Sequence, residues 1–578
     1  MSEGRVLVVG AGPVGLTMAC ELLRHGAKVR LIDAADEPSD KSKAIIVHAR
    51  SLEMLDNMGC VNAFLREGSK FHAVNIHAGG KLLARVSFDD ADWADATYVH
   101  SLLIPQSATE RLLSHHFGVY GGTVERNHKL VEIEQNAGTG NGSGSAGNGS
   151  GSGSVSVTIV EPDGKAVQSD YDWVVACDGA HSTVRKALDV PFEGERIAEN
   201  FYLADVKMDI DLAEGEGATY ICDDGALMIV PMASDRYRVM CAPREGAALL
   251  GDDEEPTLGF FQGLFDKWTS VSAKLSDDVW LSSFRISRRL VPDYRHGCVF
   301  LAGDAAHIHS PAGGQGMNLG MQDAYNLGWK LALVARGQAD ALLLDSYSAE
   351  RRPVAQSTLK GTSRATKMIT LRNPIARSLR NHLAEHLINL EIVQERMQRS
   401  MSMLSLSYRD SPIVEQYRQS LAHANVRTSD TTENPSIRHW REFGKGPAAG
   451  DRAPDVTYDD NESRLFKLLR GTKHTMLLFD GAAATAEGYE SLMAIAKQVA
   501  QQYGEHVKTH IIVPSKTRPK ELEDAESVIL DVDGDLHEAY GAGAECLYLV
   551  RPDGYIGFRC QPADVDHVTD HLFVVLGK

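Results

Sequence analysis

Residues 5–33 follow a pattern of apolar and small residues that predicts a strand, a helix and a second strand. Residues 5–10 form an apolar, β-branched run that ends in glycine, and residues 16–25 have helical spacing before Gly26. Residues 28–33 form a second apolar run that ends in Asp33. Because the three elements follow one another so closely, they predict a βαβ unit with a parallel sheet.

The turn between the first strand and the helix reads Gly10-Ala-Gly12-Pro13-Val-Gly15. Gly10 suits a tight turn, Gly12 lets the backbone approach a pyrophosphate, and Gly15 lets the helix pack closely on the strand. The helix N-terminus offers free N–H groups to phosphate, and Asp33 can accept hydrogen bonds from a ribose. These features predict a dinucleotide site whose candidate ligands include Pro13, but they do not separate FAD from NAD.

The middle of the chain carries further strand patterns. Residues 71–88 are typical of paired strands with a hairpin turn at Gly79-Gly80. Residues 138–154 are almost entirely Gly, Ser and Asn, which predicts a flexible hairpin loop between two alternating strands. Residues 200–290 alternate like strands with few helical patterns, so they predict an antiparallel sheet layer.

Towards the C-terminus the pattern changes twice. Residues 350–427 are rich in Arg, Met and Leu with helical spacing. From about Gly450 onward, strands alternate with helices in an arrangement that resembles the thioredoxin fold, but this part of the sequence has no CxxC pair. Thiol chemistry is therefore not expected there. A structural role or dimerisation, which would make the protein a homodimer, is the expectation for this segment.

Length, charge and cysteine usage narrow the class of protein. A chain of 578 residues is too long for one core and suggests about three domains. The net charge of −19, without a basic cluster, argues against nucleic acid and membrane surfaces as partners. The eight cysteines are scattered without metal-ligand spacing. No apolar run approaches the roughly 20 residues that a membrane span needs, and no signal peptide is evident. We expect a cytoplasmic protein without a structural metal.

A second glycine-rich stretch carries the strongest resemblance to a known family. It runs from a buried-type strand into Gly303-Asp304 and continues to Asn318, where a long helix at about 319–334 follows. Together with Gly10–Gly15 and Cys177-Asp178-Gly179, it resembles the class A flavoprotein aromatic hydroxylases, close to the phenol hydroxylases and the aromatic polyketide hydroxylases. The resemblance covers residues 1 to about 360, and the thioredoxin-like segment matches the phenol hydroxylase branch.

The second stretch has a physical role in such an enzyme. Asp304 closes a strand, where a carboxylate can bind the ribityl hydroxyls of a flavin, and Pro311 removes a donor and stiffens the loop beside the ring. The N–H groups that open the helix could face the flavin N1 and C2 carbonyl, where negative charge gathers on reduction. The predicted cofactor ligands here are Gly303, Asp304, Pro311, Gly313, Gly314, Gly316, Met317 and Asn318. Pro311 and Gly314 are also candidate catalytic residues.

The resemblance implies further contacts and a reaction. It implies that Arg50 and Gln106 contact the FAD phosphates and ribityl chain, that Asp33 binds the adenosine ribose, and that Asp178 organises the cofactor and nicotinamide surfaces. NADPH or NADH would bind transiently, since no second GxGxxG motif follows. The implied reaction is reduction of FAD, addition of O2 to give a C4a-hydroperoxide, and transfer of one oxygen to an aromatic small molecule.

The substrate side is less defined. Phenol hydroxylases carry an aspartate at the position of Ile45, so a simple phenol lacks its usual base here. His48 could deprotonate a phenol, or it could be an ordinary buried histidine. A larger, already acidic aromatic such as a polyketide or quinol is also compatible. Candidate substrate residues in the predicted antiparallel sheet are Tyr220, Arg236 and Tyr237, with Arg285 in the same layer.

Two other functions remain open at this point. The same cofactor could support Baeyer–Villiger insertion into a ketone, or the chain could be a non-catalytic flavin-binding scaffold. The predicted fold is α/β, with a Rossmann-like FAD-binding domain, an inserted antiparallel-sheet substrate domain and a C-terminal thioredoxin-like domain. The predicted segments are 1–185 (first part of the FAD-binding domain, with substrate-side strands at about 71–104), 186–290 (substrate sheet), 291–360 (second part of the FAD-binding domain), 361–445 (helical connection) and 446–578 (thioredoxin-like domain).

Overall fold

The computed structural model describes residues 4–40, 43–89, 93–136, 153–232, 235–244, 249–251, 254–310, 313–369, 390–424, 436–459, 463–481 and 486–577. Its α-helices span Pro13–Arg24, Ala49–Met58, Val61–Glu67, Gln106–Val119, Thr183–Ala187, Leu258–Trp268, Gly316–Ala335, Asp345–Ile369, Glu391–Ser402, Ile437–Glu442, Leu465–Leu469, Ala486–Tyr503, Asp535–Tyr540 and Val565–Leu576. Short 3-10 helices span Gly303–Ala305, Ala341–Leu344 and Lys520–Leu522. No helix in these ranges combines the length and the apolarity that a bilayer span requires.

The N-terminal βαβ unit has the predicted parallel register and forms the centre of a six-stranded sheet. Strand Arg5–Val9 pairs in parallel with Lys28–Ile32 on one side and with Trp173–Ala176 on the other. Residues 6–9 are buried because helices cover the sheet. The strand order is Arg295–His296, Val299–Leu301, Trp173–Ala176, Arg5–Val9, Lys28–Ile32 and Val124–Glu125.

Two small antiparallel sheets flank this core. One has the order Ala166–Tyr171, Ser154–Val160 and Lys129–Asn136. The last two of these strands pair in antiparallel register, as the sequence predicted, with Ser154 opposite Asn136. The predicted loop falls almost wholly on residues 137–152, which lie outside the described ranges. The other small sheet has the order Ile46–Val47, Ser101–Leu103 and Ser69–Phe71.

An eight-stranded sheet forms a second layer. Its order is His307–Ile308, Leu275–Leu290, Glu193–Met208, Arg236–Pro243, Gly225–Pro231, Glu216–Ile221, Ala73–Ala78 and Lys81–Ser87. The predicted hairpin at Gly79-Gly80 is present, and both glycines have positive φ. The sheet is larger than the predicted segment 186–290, because it recruits strands from both sides of that segment. It is also not purely antiparallel, since Glu216–Ile221 pairs in parallel with Ala73–Ala78.

The C-terminal unit, residues 446–577, is built on a mixed six-stranded sheet. Its order is Glu415–Arg418, Ile556–Gln561, Ala544–Val550, His474–Gly481, Val507–Val513 and Val528–Leu530. The structure differs here from the predicted helical connection at 361–445, because Glu415–Arg418 is a strand that pairs in parallel with Ile556–Gln561. The edge strand of this sheet therefore comes from outside the unit.

Candidate functional site

The first glycine loop, residues 10–15, has one side packed and one side open. A Cβ atom on Gly10 would lie 2.4 Å from the carbonyl oxygen of Cys177, and one on Gly15 would lie 1.8 Å from that of Gly10. Gly10 also has a φ of +100°, which favours glycine. A Cβ atom on Gly12 would have no heavy atom within 4 Å. The loop is therefore closed against the sheet at Gly10 and Gly15 and open to a ligand at Gly12.

Asp33 lies beside this loop at the end of the second strand. Its carboxylate accepts hydrogen bonds from the N–H groups of Ala11, at 2.5 Å, and Ala35, at 2.8 Å. The Arg126 guanidinium stands 3.6 Å from the same carboxylate. Because two donors already hold Asp33, a ribose would share an oriented acceptor rather than a free one. The sequence pattern did not single out Arg126, since a lone arginine after a two-residue strand carries no spacing signal.

The second glycine-rich stretch meets the first. We call residues 303–310 and 313–315 the Gly303 loop. Asp304 follows strand Val299–Leu301 directly, and its side chain is exposed. Helix Gly316–Ala335 starts with Gly316 and Met317, whose N–H groups have no acceptor one turn earlier in the helix. The loop thus offers a carboxylate at one end and, at the other, N–H groups that have no helical acceptor among the described residues. Pro311 lies outside the described residues.

Gly314 packs on the edge of the neighbouring small sheet. Its φ is +62°, and that of Gly313 is +86°. A Cβ atom on Gly314 would lie 3.2 Å from Cδ1 of Ile46. The sequence therefore needs glycine here both for the left-handed backbone and for the close approach to Ile46.

His48, predicted to be either a substrate base or an ordinary buried histidine, bonds to the protein in this structure through both nitrogens of its ring. Its Nε2 lies 2.9 Å from the carbonyl oxygen of Gly313, so Nε2 donates, and its Nδ1 lies 2.9 Å from the hydroxyl of Ser101, from which it accepts. The ring is buried. Burial lowers the pKa of His48 to about 4. Both ring nitrogens therefore have hydrogen-bond partners within the protein.

Asn318 also uses its side chain to hold the loop. Its amide donates to the carbonyls of Ile46, at 2.9 Å, and Gly314, at 3.0 Å. Its side-chain oxygen accepts from the N–H of His48 at 2.8 Å. The side chain is therefore engaged with the protein, and what Asn318 offers to a cofactor is its backbone N–H in the first helical turn.

Arg50, which the resemblance predicts to contact the FAD phosphates, is bonded in this structure to its own helix and to the C-terminal unit. It is buried, and it donates to Glu53 at 2.9 Å and to the carbonyl of Asp553 at 2.6 Å. Its guanidinium also stacks on the ring of Tyr555, 4.9 Å from the centroid. Arg50 therefore ties helix Ala49–Met58 to the C-terminal unit, a contact that no local sequence pattern could reveal.

Gln106 and Asp178 occupy the positions expected of them only in part. Gln106 is already bonded, since it donates to Glu110 at 2.9 Å and accepts from the N–H of Ala44 at 3.1 Å. One oxygen of Asp178 accepts from the N–H of Thr183 at 2.7 Å. Its other oxygen is buried and has no hydrogen-bond partner in the described structure. Burial raises the pKa of Asp178, so this free oxygen is a suitable acceptor for a ligand donor.

The three residues predicted to bind substrate are engaged within the large sheet in this structure. Tyr220 and Tyr237 point to the outer face of the eight-stranded sheet, where they pack in the cluster covered by helix Leu258–Trp268. Arg236 binds Asp277 near the surface, with donor–acceptor distances of 2.7 and 2.8 Å. The sequence established that these residues belong to a sheet, but not which face each one occupies.

The opposite, inner face of this sheet points towards the Gly303 loop. Because side chains alternate along a strand, Met228 and Val230 share this face with Met240, which pairs with Met228. Val230 packs with Ile45 and Ile46, and Ile46 is the residue against which Gly314 lies. Met228, Val230 and Met240 are each only partly buried. The inner face therefore offers open apolar surface beside the loop, and Ile45 adds no acid to it.

These features fit a dinucleotide that ends in a flavin. The open backbone at Gly12 could accept phosphates, the exposed carboxylate of Asp304 could hold the ribityl chain, and the free N–H groups at Gly316 could face a ring that gains negative charge. The unpaired oxygen of Asp178 adds one more acceptor. The residues in hand thus fit FAD, and partly buried Met228, Val230 and Met240 lie on the sheet face beside the loop.

Known proteins are similar to this chain over most of its length. A family model described as FAD binding domain matches residues 3–362. The chain is 32% identical to 6-methylpretetramide 4-monooxygenase of Streptomyces rimosus over 575 residues, covering 98% of this chain and 93% of the relative. It is 31% identical to pentachlorophenol 4-monooxygenase of Sphingobium chlorophenolicum over 572 residues, covering 96% and 94%.

A solved structure of a related enzyme is also similar to this chain in fold. The structure of an anhydrotetracycline hydroxylase from Streptomyces rimosus superposes with a TM-score of 0.69 at 26% identity, covering 100% of this chain and 99% of that one. The match extends over the parallel core, the large sheet and the C-terminal unit, because both chains are covered almost entirely. This chain therefore belongs to the family of class A FAD-dependent aromatic hydroxylases and is a flavoprotein monooxygenase.

Proposed function

We propose that the protein uses NADH or NADPH and O2 to hydroxylate a phenolic or polyketide-like aromatic small molecule. The observation that carries this proposal is the contact between Gly314 and Ile46. Through it, the Gly303 loop adjoins the apolar inner face of the large sheet, so one surface can hold a flavin ring while the other holds an aromatic ring. Two relatives of the chain, a 6-methylpretetramide 4-monooxygenase and a pentachlorophenol 4-monooxygenase, support a substrate of this kind.

The residues of the chain divide the work between binding and positioning. FAD, when bound and reduced, supplies the oxygen chemistry. Asp304 would hold the ribityl chain, and the open backbone at Gly12 would approach the phosphates. The N–H groups of Gly316 and Met317 would stabilise negative charge that forms on the group facing them. Met228 and its inner-face neighbours would orient the substrate and exclude water from the reacting centre.

The protein offers no base at the position where simple phenols are ionised. Ile45 is apolar, and both nitrogens of His48 are bonded to the protein. We therefore infer a substrate whose hydroxyl group is acidic before it binds, such as a polyketide phenol or a quinol. Such a molecule needs orientation from the pocket rather than deprotonation by it.

We further infer a thioredoxin-like fold for the C-terminal unit. Strands His474–Gly481 and Val507–Val513 are parallel neighbours joined by helix Ala486–Tyr503. Strands Ala544–Val550 and Ile556–Gln561 extend the sheet in antiparallel fashion, and helix Val565–Leu576 follows them. This order supports the proposal. The proposed domain limits are 1–185 with 291–360 for FAD, 186–290 for the substrate and 446–578 for this unit.

An anaerobic reduction experiment tests the function. The purified holoenzyme is mixed with NADPH or NADH, with and without phenols, naphthols and polyketide-like quinols, and flavin bleaching is followed. We expect one class of aromatic to accelerate reduction and, once O2 is admitted, to gain one oxygen on a ring carbon by NMR. Insertion of oxygen beside a ketone would instead indicate a Baeyer–Villiger enzyme. Absence of bleaching with every compound would contradict catalysis and favour a flavin-binding scaffold.

A further inference from the structure

Two neighbouring residues of helix Asp345–Ile369 carry opposite charges into the interior. Glu350 and Arg351 are 2% and 0% exposed. They bind different parts of the protein, since Glu350 contacts the C-terminal unit and Arg351 contacts the cofactor side. One turn of this helix therefore contacts both the C-terminal unit and the cofactor side, which are far apart in sequence.

On the cofactor side, Arg351 holds the base of the Gly303 loop through Asp323. Its Nε donates to Asp323 at 2.7 Å, and another nitrogen donates to the carbonyl of Leu319 at 3.0 Å. The other oxygen of Asp323 accepts from the N–H of Gly303 at 3.2 Å and lies 2.6 Å from Nε2 of His307. Burial would raise the pKa of Asp323, but Arg351 and His307 hold it below its ordinary value. Asp323 is therefore a carboxylate that fixes the backbone next to Asp304.

On the other side, Glu350 binds the C-terminal unit through an ion pair with Arg551. Arg551 donates to both of its oxygens, at 2.6 and 2.9 Å. Lys330, Asn326 and Ser411 also donate to Glu350, at 2.8, 2.6 and 2.6 Å. Lys330 and Asn326 belong to the same helix, Gly316–Ala335, whose N-terminus faces the cofactor site. The arginine of the C-terminal unit thus completes a network that includes the helix of the Gly303 loop.

Tyr408 joins the two sides a second time. Its hydroxyl accepts from Arg351 at 2.8 Å. Its ring lies 4.2 Å from the ring of Tyr555, centroid to centroid, and 5.5 Å from the Arg551 guanidinium. Both of those residues belong to the turn that ends strand Ala544–Val550. The turn therefore contacts Tyr408, one of the groups that bind Arg351.

We propose that the C-terminal unit positions the cofactor loop through a clamp made of Arg551, Glu350, Arg351, Tyr408 and Asp323. The clamp residues bind one another inside the protein, and they would act on the cofactor through the backbone of Gly303 and the helix that begins at Gly316. Because all the charges in the clamp are buried, removal of one partner leaves the others uncompensated and shifts what they hold. The inference rests on the proposed function only in that the loop binds FAD.

The experiment measures FAD affinity in the full chain, without nicotinamide or substrate. Arg551→Met is titrated with FAD by flavin fluorescence and compared with Arg470→Met. Arg470 is a control for ion pairs between the C-terminal unit and the N-terminal part, because it binds Asp56 outside the clamp, and its side chain is more exposed than that of Arg551. We expect Arg551→Met to raise the FAD dissociation constant about tenfold, the size seen when partners that orient a ligand are lost, and Arg470→Met to change it by no more than about twofold.

Two milder variants keep the test valid if Arg551→Met folds poorly. Arg551→Lys retains the charge and should restore much of the affinity. Tyr408→Phe removes only the hydroxyl that accepts from Arg351, and it should raise the dissociation constant a few-fold and alter the visible spectrum of bound flavin. Equal effects of the Arg551 and Arg470 variants, or unchanged affinity in Tyr408→Phe, would overturn the clamp. Failure of the unaltered protein to bind FAD would contradict the proposed function instead.

Discussion

The imidazole of His48 donates a hydrogen bond from Nε2 to the carbonyl oxygen of Gly313, across a distance of 2.9 Å. This bond joins the small sheet at Ile46–Val47 to the loop that faces the cofactor. It also fixes the tautomer, because a carbonyl can only accept. A residue that could have served as a base in the sequence thus serves to hold the loop in the folded protein.

Replacement of His48 should therefore affect cofactor binding before it affects proton transfer. His48→Phe leaves the Gly313 carbonyl and the Ser101 hydroxyl without this partner, at a cost of about 1–3 kcal/mol, and we expect weaker FAD binding. His48→Gln can keep one bond and should retain more affinity. FAD titration and the pH profile of NAD(P)H oxidation check this. Tight FAD binding combined with loss of a kinetic pKa near neutrality would show that His48 acts as a base after all.

Stability should fall on mild acidification, in part because of His48. Its pKa is about 4 in the folded protein, below the ordinary value of about 6.5. Between these values the unfolded chain binds the proton and the folded one does not. The contribution of neutral His48 to the free energy of unfolding is therefore fully present above pH 6.5 and is lost as the pH falls towards 4. Burial lowers the pKa of His474 to about 3 and that of His510 to about 4, so they act in the same direction.

Urea unfolding at pH 7.5 and pH 5 measures the share of His48. The unaltered protein should lose about 2 kcal/mol more than His48→Gln between these two conditions. The control is a comparison at pH 7.5 alone, which reports the loss of hydrogen bonds without the proton. Parallel losses in both proteins would mean that His48 is not buried in the neutral form.

Loss of the Asp304 carboxylate should release FAD during purification. The side chain is exposed just after strand Val299–Leu301. Because a hydrogen bond to a charged group contributes about 1.5–3 kcal/mol, we expect Asp304→Ala to bind FAD about ten- to a hundredfold more weakly. Asp304→Asn keeps a hydrogen-bond acceptor, so its affinity for FAD should lie between those of the unaltered protein and Asp304→Ala. The ratio of flavin to protein absorbance gives the occupancy. Full occupancy in Asp304→Ala would refute the assigned role.

A charge on the inner face of the large sheet should impair substrate binding and leave FAD in place. Met240→Glu puts a carboxylate on partly buried apolar surface, and we expect KM for an accepted aromatic to rise about tenfold. Tyr220→Phe is the matched control, because Tyr220 is on the outer face of the same sheet. Steady-state kinetics on both variants checks the assignment. A larger rise in KM for Tyr220→Phe than for Met240→Glu would indicate that the substrate binds on the outer face instead.

Shortening the Gly/Ser-rich connection should have little effect. The strands that it joins are paired up to Ser154 and Asn136, so their ends are already adjacent. Deletion of residues 140–152 should change the free energy of unfolding by no more than about 1 kcal/mol, since loop closure depends weakly on length. Thermal unfolding and NAD(P)H oxidation are the measurements. A collapse of either would assign the segment a role beyond connection.

The sequence by itself determined the elements whose signal is local. Gly10, Gly12 and Gly15 lie on one turn, so their spacing alone specified a tight strand-to-helix connection with one open backbone face, and the structure has that geometry. The same holds in part for Asp304, which lies in a short 3-10 helix just after strand Val299–Leu301, and for the long helix, which begins at Gly316 rather than at about 319. Local sterics and strand or helix periodicity act within a few residues, which is why a pattern can reveal them.

Only the tertiary structure decided which way side chains point and which distant groups they meet. Arg50 lies within two residues of His48, yet its partner Asp553 is in the C-terminal unit. Tyr220 and Met228 are on neighbouring strands, yet they occupy opposite faces of the sheet. Burial removes water as a partner, so each buried polar group must find its bond wherever the folded chain supplies one. That choice depends on contacts across the whole chain, and no local pattern records it.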